Sequence, residues 1–295
     1  MKLIDTHVHF WDLSNNINSW LYNPTIPNYL CENYSIDSYI KHNMCVPSGV
    51  VTVESANNQH TLQEVKWISD IVKAYNIRNT ANQVQIKHIA YIDLLQDPYS
   101  FETEVIKLSN YNFVMGIRNI LANTINNNYS PLTYDITTDN THLRNLSHNL
   151  KLLKQYNLIF NCQMYSKQLL NIVDVLADSG VCCIIDHFGL PIYDILEEKN
   201  HWQQMIRKIN NLPNVFLKLS GLDMTHQSEY FAIIMEYLLE NITFDKLLYA
   251  SNYPVSIKSD LNIKNFLLWF EKNKLTQHQE SFFYTNANNI FGFNI

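Results

Sequence analysis

Glycine is scarce in this sequence, which has only 6 glycines among 295 residues. Because glycine is the usual residue wherever the backbone needs a positive φ angle, many turns must use another residue. Asparagine is abundant and tolerates the left-handed conformation better than other non-glycine residues, so we expect it in many turns. The few glycines are therefore informative, and Gly116, Gly189 and Gly221 each lie at or just after the end of an apolar run.

The sequence also lacks an excess of basic residues and any long hydrophobic run. Its net charge of −6 argues against a phosphate-binding surface as its main role, so nucleic acid is not an expected partner. No stretch approaches 18 consecutive apolar residues, and no basic region followed by an apolar run begins the chain. The sequence therefore predicts neither a membrane span nor a secretory signal.

The five cysteines show no C-x-x-C spacing. Two of them, Cys182 and Cys183, sit inside an apolar run, which favours reduced thiols in a protein core. This cysteine usage predicts a reducing, cytoplasmic location.

Apolar residues make up 46% of the chain and charged residues 16%, which is typical of a globular protein with a sizeable core. Eight short apolar runs alternate with helical patterns. The runs are the first half of Leu3–Asp12, then 49–54, 88–93, 113–118, 158–163, 181–187, 215–220 and 247–252. The helical patterns cover 35–42, 62–75, 101–108, 140–156, 167–177, 202–209, 230–240, 262–272 and 277–290. Because eight buried parallel strands alternating with helices are typical of a (β/α)8 TIM barrel, we predict one such α/β domain over residues 1–295.

The first strand ends in the pair His7 and His9. Residues i and i+2 of a strand point to the same side, so the two imidazoles should project together. Such a pair can present two ring nitrogens to a metal or to a polarised carbonyl oxygen. Alone the pattern is weak, because two histidines hydrogen-bonded within a loop would look the same.

Six of the predicted strands end in a residue with useful chemistry. These residues are His7 with His9, Glu54, Arg118, Gln163, His187 and Asn252. The carboxyl ends of the strands in such a barrel form one face, so we expect these side chains to cluster at its mouth. The long polar stretch from Asn119 to Thr138 is predicted to be an excursion over this site.

Several motifs, in order along the chain, resemble one known family. They are Ile4–Asp12, Val51–Glu54, Gly116–Arg118, Ile185–Pro191, Lys218–Leu222 and Thr285–Ala287. Together they resemble the amidohydrolase superfamily, and within it the amidohydrolase-2 group of sugar lactonases and dicarboxylate lactonases. The resemblance runs over nearly the whole chain and is least distinctive between Asn119 and Asn157.

The resemblance implies a hydrolase that opens a lactone or a related cyclic ester of an acidic or sugar-derived small molecule. It places His7, His9 and His187 around the carbonyl oxygen, either as ligands of a divalent metal such as zinc or manganese or as direct hydrogen-bond donors. The predicted catalytic residues are these three histidines, Glu54 and Asn252, and the predicted substrate-binding residues are Trp11, Arg118, Gln163 and Lys218. Arg118 could instead form a structural ion pair, and Lys218 could extend along its strand to solvent. A homodimer is compatible with the sequence, which does not determine the oligomeric state.

One position departs from the family pattern. The family's eighth strand usually reads Gly-Ser-Asp-Trp-Pro, with the aspartate as general base, whereas this chain reads Ala250-Ser251-Asn252-Tyr253-Pro254. A carboxamide has no proton-accepting state near neutral pH, so the base must come from elsewhere, and Glu54 and His187 are the candidates. Two further hypotheses stay open: a metal-dependent decarboxylase or hydratase of an acidic substrate, and a non-catalytic binding protein.

Overall fold

The computed structural model describes residues 2–43, 45–55, 60–123 and 132–294. Within them the strands are β1 Ile4–Val8, β2 Gly49–Val53, β3 Gln85–Tyr91, β4 Val114–Ile120, β5 Ile159–Gln163, β6 Cys183–Ile185, β7 Val215–Leu219 and β8 Leu247–Tyr249. The α-helices are α1 Ile36–Asn43, α2 Thr61–Arg78, α3 Pro98–Leu108, α4 Asn140–Gln155, α5 Ser166–Ser179, α6 Leu196–Asn210, α7 Phe231–Asn241, α8 Ile263–Lys272 and α9 Asn286–Phe291.

The eight strands form one sheet whose spatial order, β1 to β8, is the order of the sequence. The pairings of β1 with β2, β2 with β3, β4 with β5, β5 with β6 and β6 with β7 are all parallel. Parallel neighbours need a crossover connection, and a helix supplies it after each strand. This architecture is the (β/α)8 TIM barrel, so the predicted fold class is confirmed.

Local sequence explains where several helices begin and end. Asp97 caps α3 by accepting a hydrogen bond from the Ser100 backbone at 3.0 Å, and Pro98 begins that helix. Asp139 caps α4 by accepting from the Thr141 backbone at 2.7 Å. Gly180, with a φ angle of 62°, ends α5.

Two strands are shorter than predicted. The run 181–187 gives only Cys183–Ile185, because the backbone turns left-handed at His187. The run 247–252 gives only Leu247–Tyr249, and Asn252 is again left-handed, with a φ angle of 55°. Continuous apolar sequence marks the buried strand but does not show where the backbone leaves the extended conformation.

The contacts divide the chain into two compact units. The first contains Met1–Tyr91, Tyr111–Met115 and Tyr249–Ile295, and the second contains Ile92–Asn110 and Gly116–Leu248. The single domain expected from the sequence stays a prediction.

In the first unit, a cluster of buried side chains packs around the end of β1 and the segment that follows it. Aromatic rings dominate: Trp11 packs edge-on against Trp20 and Tyr34, and Tyr253 packs edge-on against Tyr34 and Tyr39. The Tyr249 carbonyl at the end of β8 accepts a hydrogen bond from the Thr6 hydroxyl at 2.7 Å. The end of β8 therefore lies beside β1.

The second unit contains α3 to α7, β5 to β7 and β4 from Gly116 onward. The predicted excursion from Asn119 to Thr138 begins later than expected, since β4 continues to Ile120. A short 3-10 turn covers Ile136–Thr138, and residues 124–131 of the excursion lie outside the described residues. Among the helices that can be described in either unit, none is both long enough and apolar enough to cross a membrane.

Candidate active site

The two histidines of the first strand lie together. Nε2 of His7 is 3.0 Å from Nε2 of His9, and both side chains are buried. In the pairing of β1 with β2, the register shifts between Asp5 and Val8, and His7 lies in this irregular stretch. Such an irregularity adds one residue to the strand and re-aims a side chain. The sequence prediction that the two rings project together agrees with this geometry.

The proton positions on this pair follow from its partners. His9 Nδ1 lies 2.9 Å from the Val53 carbonyl oxygen, which can only accept, so Nδ1 carries the hydrogen. On a neutral ring, Nε2 of His9 then presents a lone pair. It accepts from the Nε2–H group of His7, or it faces a metal ion that both nitrogens share.

Asp5 connects the histidine strand to the segment after β8. Its Oδ1 accepts from the backbone N–H of His7 at 3.2 Å and of Ser251 at 2.9 Å. Its Oδ2 accepts from the Tyr39 hydroxyl at 2.8 Å. Burial raises the pKa of this carboxyl group, and the hydrogen bonds from Ser251, Tyr39 and His7 oppose that effect. Asp5 therefore fixes the backbone on both sides of the candidate residues.

Asn252 occupies the position where the family pattern has aspartate. Its side chain is 1% exposed, and Nδ2 donates to the Ser256 hydroxyl at 2.9 Å. Its backbone N–H donates to the His7 carbonyl at 2.9 Å. A left-handed backbone is tolerated by asparagine and aspartate, which explains why the residue fits this turn.

Glu54 follows β2 directly and is 1% exposed. Its backbone N–H donates to the Ile89 carbonyl at 2.9 Å, so β3 holds this position in place. Trp11, predicted to bind substrate, is 1% exposed, and its indole N–H donates to the Glu32 carbonyl at 2.8 Å. Burial and this hydrogen bond give Trp11 a structural role, and its role in substrate binding stays a prediction.

The second unit contains a buried network centred on the Asp186 carboxylate. Lys218 Nζ lies 3.0 Å from Asp186 Oδ1, and Arg118 lies 3.7 Å from Oδ2. Asn161 donates to Oδ2 at 2.5 Å and also accepts from Lys218. Arg118 further donates to Gln163 Oε1 at 3.3 Å. The network thus joins side chains from β4, β5 and β7 with the residue that follows β6.

This network bears on the alternatives predicted for Lys218 and Arg118. Lys218 is fully buried in an ion pair, so its ammonium group does not extend to solvent. Arg118 does form an ion pair, but the distance of 3.7 Å is longer than a bidentate guanidinium–carboxylate contact. Both cations face the same single carboxylate, an arrangement with more positive than negative charge among these three groups.

His187 lies on a left-handed turn. The φ angles are 53° at His187, 57° at Phe188, 74° at Gly189 and 49° at Leu190. Non-glycine residues rarely adopt this conformation, and such strain persists only where the surroundings enforce it. Two side chains do so: the Trp202 indole donates to the Phe188 carbonyl at 2.7 Å, and the Ser166 hydroxyl donates to the Gly189 carbonyl at 3.0 Å.

The imidazole of His187 is buried, and its Nδ1 lies 3.0 Å from the Ser220 hydroxyl. Burial lowers the pKa of His187 to about 4, since the charged form loses its hydration. The Asp186 carboxylate raises the pKa, whereas Arg118 and Lys218 lower it further. The ring is therefore neutral at neutral pH.

The structure brings the predicted residues together in two groups. In the first unit His7 contacts His9 and hydrogen-bonds to Asn252; in the second, Gln163, Arg118 and Lys218 share one network. Clustering of the residues from all six strand ends at one mouth stays a prediction. Sequence reasoning missed Asp186, Asn161 and Ser220 as site residues. The signal for Asp186 was present, because an acidic residue directly precedes the strand-end His187.

The family model described as amidohydrolase matches residues 115–293, which is more than half of the chain. The match begins after the first three strands, so it includes Arg118, His187 and Asn252 but not His7 or His9.

Relatives and solved structures extend the similarity to the whole chain. An uncharacterized protein, y4mH, of Sinorhizobium fredii is 22% identical over 271 residues, covering 86% of each chain. An amidohydrolase of Burkholderia multivorans, solved with bound zinc, is 16% identical with a TM-score of 0.75, covering 99% of this chain and all of the other. A putative 2-pyrone-4,6-dicarboxylic acid hydrolase of Pseudomonas putida is 15% identical with a TM-score of 0.71, covering all of this chain and 98% of the other. At these identities the structures establish a shared fold.

Proposed function

The chain belongs to the amidohydrolase family and is therefore an enzyme, and we propose that it hydrolyses a lactone or related cyclic ester of an acidic or sugar-derived small molecule. The observation that carries the proposal is the pair of buried imidazole Nε2 atoms 3.0 Å apart at the end of β1. Ring nitrogens at this separation suit one metal ion, through which both would stabilise the negative charge that develops on the carbonyl oxygen. Without a metal, only the Nε2–H group of His7 would donate directly, because Nε2 of neutral His9 presents a lone pair.

Arg118 supports an acidic substrate. Its guanidinium group is a planar fork of N–H donors whose geometry matches a carboxylate. We propose that it binds the substrate's carboxylate, with the Lys218 ammonium of the same network adding positive charge nearby. The similarity to a dicarboxylic acid hydrolase supports the same substrate class.

Hydrolysis also requires a base that takes a proton from the attacking water. Asn252 cannot accept it, because an amide has no basic form near neutral pH. Its amide instead orients groups at the turn, with Nδ2 directed to Ser256. Glu54 and His187 remain the candidates for the base, and Gln163 and Trp11 the candidates for further substrate contacts.

The first-strand histidines fit a divalent metal. Two ligands at 2.0–2.1 Å from zinc are separated by about 2.8–3.4 Å for angles between a right angle and the tetrahedral value. The measured separation of 3.0 Å falls in this range, and the Val53 carbonyl fixes the tautomer that exposes the His9 Nε2 lone pair. When bound, zinc or manganese would polarise the substrate carbonyl and lower the pKa of a bound water. The zinc-bound Burkholderia structure supports this assignment. A third histidine ligand, His187, is implied only by the family resemblance.

A lactone panel tests the proposal. Purified protein, stripped of metal by EDTA and then assayed with and without zinc or manganese, should open at least one acidic lactone faster than its neutral methyl ester. Arg118→Gln should raise KM for the acidic lactone and leave KM for the ester nearly unchanged. Arg144→Gln is the matched control, since Arg144 is exposed on α4.

Assays of the same purified protein distinguish the other hypotheses. Release of carbon dioxide from an acidic substrate without lactone opening would identify a decarboxylase, and addition of water to a double bond would identify a hydratase. Stoichiometric binding of an acidic lactone without turnover would identify a binding protein. Cytoplasmic location, a homodimer and the absence of nucleic-acid or membrane partners stay predictions from the sequence.

A further inference from the structure

His187 and the segment after β7 are fitted closely to each other. Gly221 has a φ angle of 70°, and a Cβ atom built there would lie 2.5 Å from His187 Nδ1 and 2.9 Å from Cγ. Real Cβ atoms do not approach ring atoms that closely, so only glycine lets the imidazole lie against this backbone. The imidazole of His187 therefore lies directly against the backbone at Gly221.

The hydroxyl of Ser220 completes this contact. Ser220 is 1% exposed, and within the described parts of both units its Oγ has one hydrogen-bond partner, Nδ1 of His187 at 3.0 Å. A hydroxyl has one hydrogen to donate and two lone pairs to accept with. If Nδ1 donated to Oγ, the hydroxyl hydrogen would be buried without an acceptor, which costs more than an unused lone pair. The favoured direction is therefore from Oγ–H to Nδ1.

We propose that Ser220 is a positioning residue that holds His187 in the tautomer with its hydrogen on Nε2. In this state Nδ1 accepts from Ser220, and Nε2–H is a hydrogen-bond donor rather than a metal ligand. The assignment concerns only the neutral ring and requires no movement of the backbone.

The tautomer determines what His187 can do, and its role in catalysis rests on the proposed lactone hydrolysis. An Nε2–H group can donate to the carbonyl oxygen of the substrate and stabilise the oxyanion, but it cannot accept the proton of the attacking water. A metal, when present, would have His7 and His9 as its histidine ligands. The general base would be Glu54, which is 1% exposed beside the histidine strand.

The tautomer can be measured without any substrate. Full-length protein labelled with ¹⁵N at histidine, freed of metal by EDTA and held at pH 7.5, gives long-range ¹H–¹⁵N spectra that distinguish Nδ1–H from Nε2–H rings. The peaks of His187 are those lost in His187→Gln. The wild-type ring should be in the Nε2–H form, and Ser220→Ala should give a mixture or the Nδ1–H form. Ser220→Cys, with a weaker donor, should lie between them.

Ser179→Ala is the matched control, because it removes another buried serine hydroxyl, one that bonds to the Leu176 carbonyl within α5. Its His187 peaks should match the wild type. An Nδ1–H ring in the wild type would overturn the proposal, and so would an Nε2–H ring that Ser220→Ala leaves unchanged. On a lactone that the wild type hydrolyses, Ser220→Ala should lower kcat about tenfold with little change in KM. Failure to find such a lactone would count against the proposed function and would leave the spectra interpretable.

Discussion

The indole nitrogen of Trp202 donates a hydrogen bond to the carbonyl oxygen of Phe188 at 2.7 Å, and both residues are fully buried. Phe188 is the second residue of the left-handed turn that begins at His187. Helix α6 thus supports, from outside the candidate site, the strained backbone on which a candidate catalytic residue lies. The geometry of this turn therefore depends on a side chain that lies outside the candidate site.

Trp202→Phe should lower the free energy of unfolding by about 1–3 kcal/mol, because the Phe188 carbonyl would be left buried without its donor. Urea unfolding measures the change. Trp67→Phe in α2 is the control, since the Trp67 indole forms no hydrogen bond among the described residues and should lose much less. Equal losses in the two variants would show that ring size, and not the hydrogen bond, is responsible.

Gly221→Ala should impair both stability and activity. The new methyl group would meet Nδ1 of His187 at 2.5 Å, and the φ angle of 70° adds about 1–2 kcal/mol of strain. Gly180→Ala separates the two effects, because its φ angle is 62° but the space around it is open. We expect both variants to lose stability and only Gly221→Ala to lose most of its turnover. Retained turnover in Gly221→Ala would mean that the His187 ring can move without consequence.

Replacing both His7 and His9 with alanine should abolish metal uptake, since it removes the two Nε2 atoms that lie 3.0 Å apart. Elemental analysis of protein loaded with zinc and then dialysed measures the bound metal. His148→Ala, an exposed histidine on α4, should bind as much metal as the wild type. Unchanged metal content in the double variant would place the metal elsewhere.

Asn252→Asp should reduce turnover. The amide donates to Ser256 and is 1% exposed, so a carboxylate would lose this donor and place a new charge in a buried position. We expect kcat/KM to fall at least tenfold across pH 5 to 9, with a shift in the pH optimum. A rise of about 10²–10⁴-fold would instead show that the chain had lost an ordinary general base. No difference at any pH would mean that this position carries no chemistry.

Stability of the metal-free protein should decrease in mild acid because of His187. Its pKa is about 4 in the folded state against 6.5 unfolded, so below pH 6.5 the unfolded chain binds the proton first. The contribution is fully present above pH 6.5 and is lost as the pH falls toward 4, amounting to about 2 kcal/mol between pH 7.5 and pH 5. Urea unfolding of wild type and His187→Gln at both pH values measures it. A parallel loss in the two proteins would assign the acid sensitivity to other groups.

The alternation of apolar runs with helical patterns was sufficient to predict the fold, because each buried parallel strand is nearly continuous in apolar residues. The pairing of His7 with His9 was also predictable, since it depends on spacing within one strand. The contact of Ser220 with His187 was not, because it joins residues 33 positions apart and depends on a left-handed turn. Asp186 was missed for a related reason: its partners Lys218 and Asn161 lie on other strands, and only the sheet brings them together.

The segments of the first unit are widely separated along the chain: its three pieces end at Tyr91, Met115 and Ile295. During synthesis from the amino terminus, the hydrogen bond from Ser251 to Asp5 must wait until residue 251 has left the ribosome. The second unit ends at Leu248, and its contacts can begin to form earlier. Until then, the strand that carries His7 can pair with β2 but lacks the contacts that residues 249–252 make with it in the folded protein. A nascent chain stalled before β8 should therefore leave that strand accessible to chaperones and proteases.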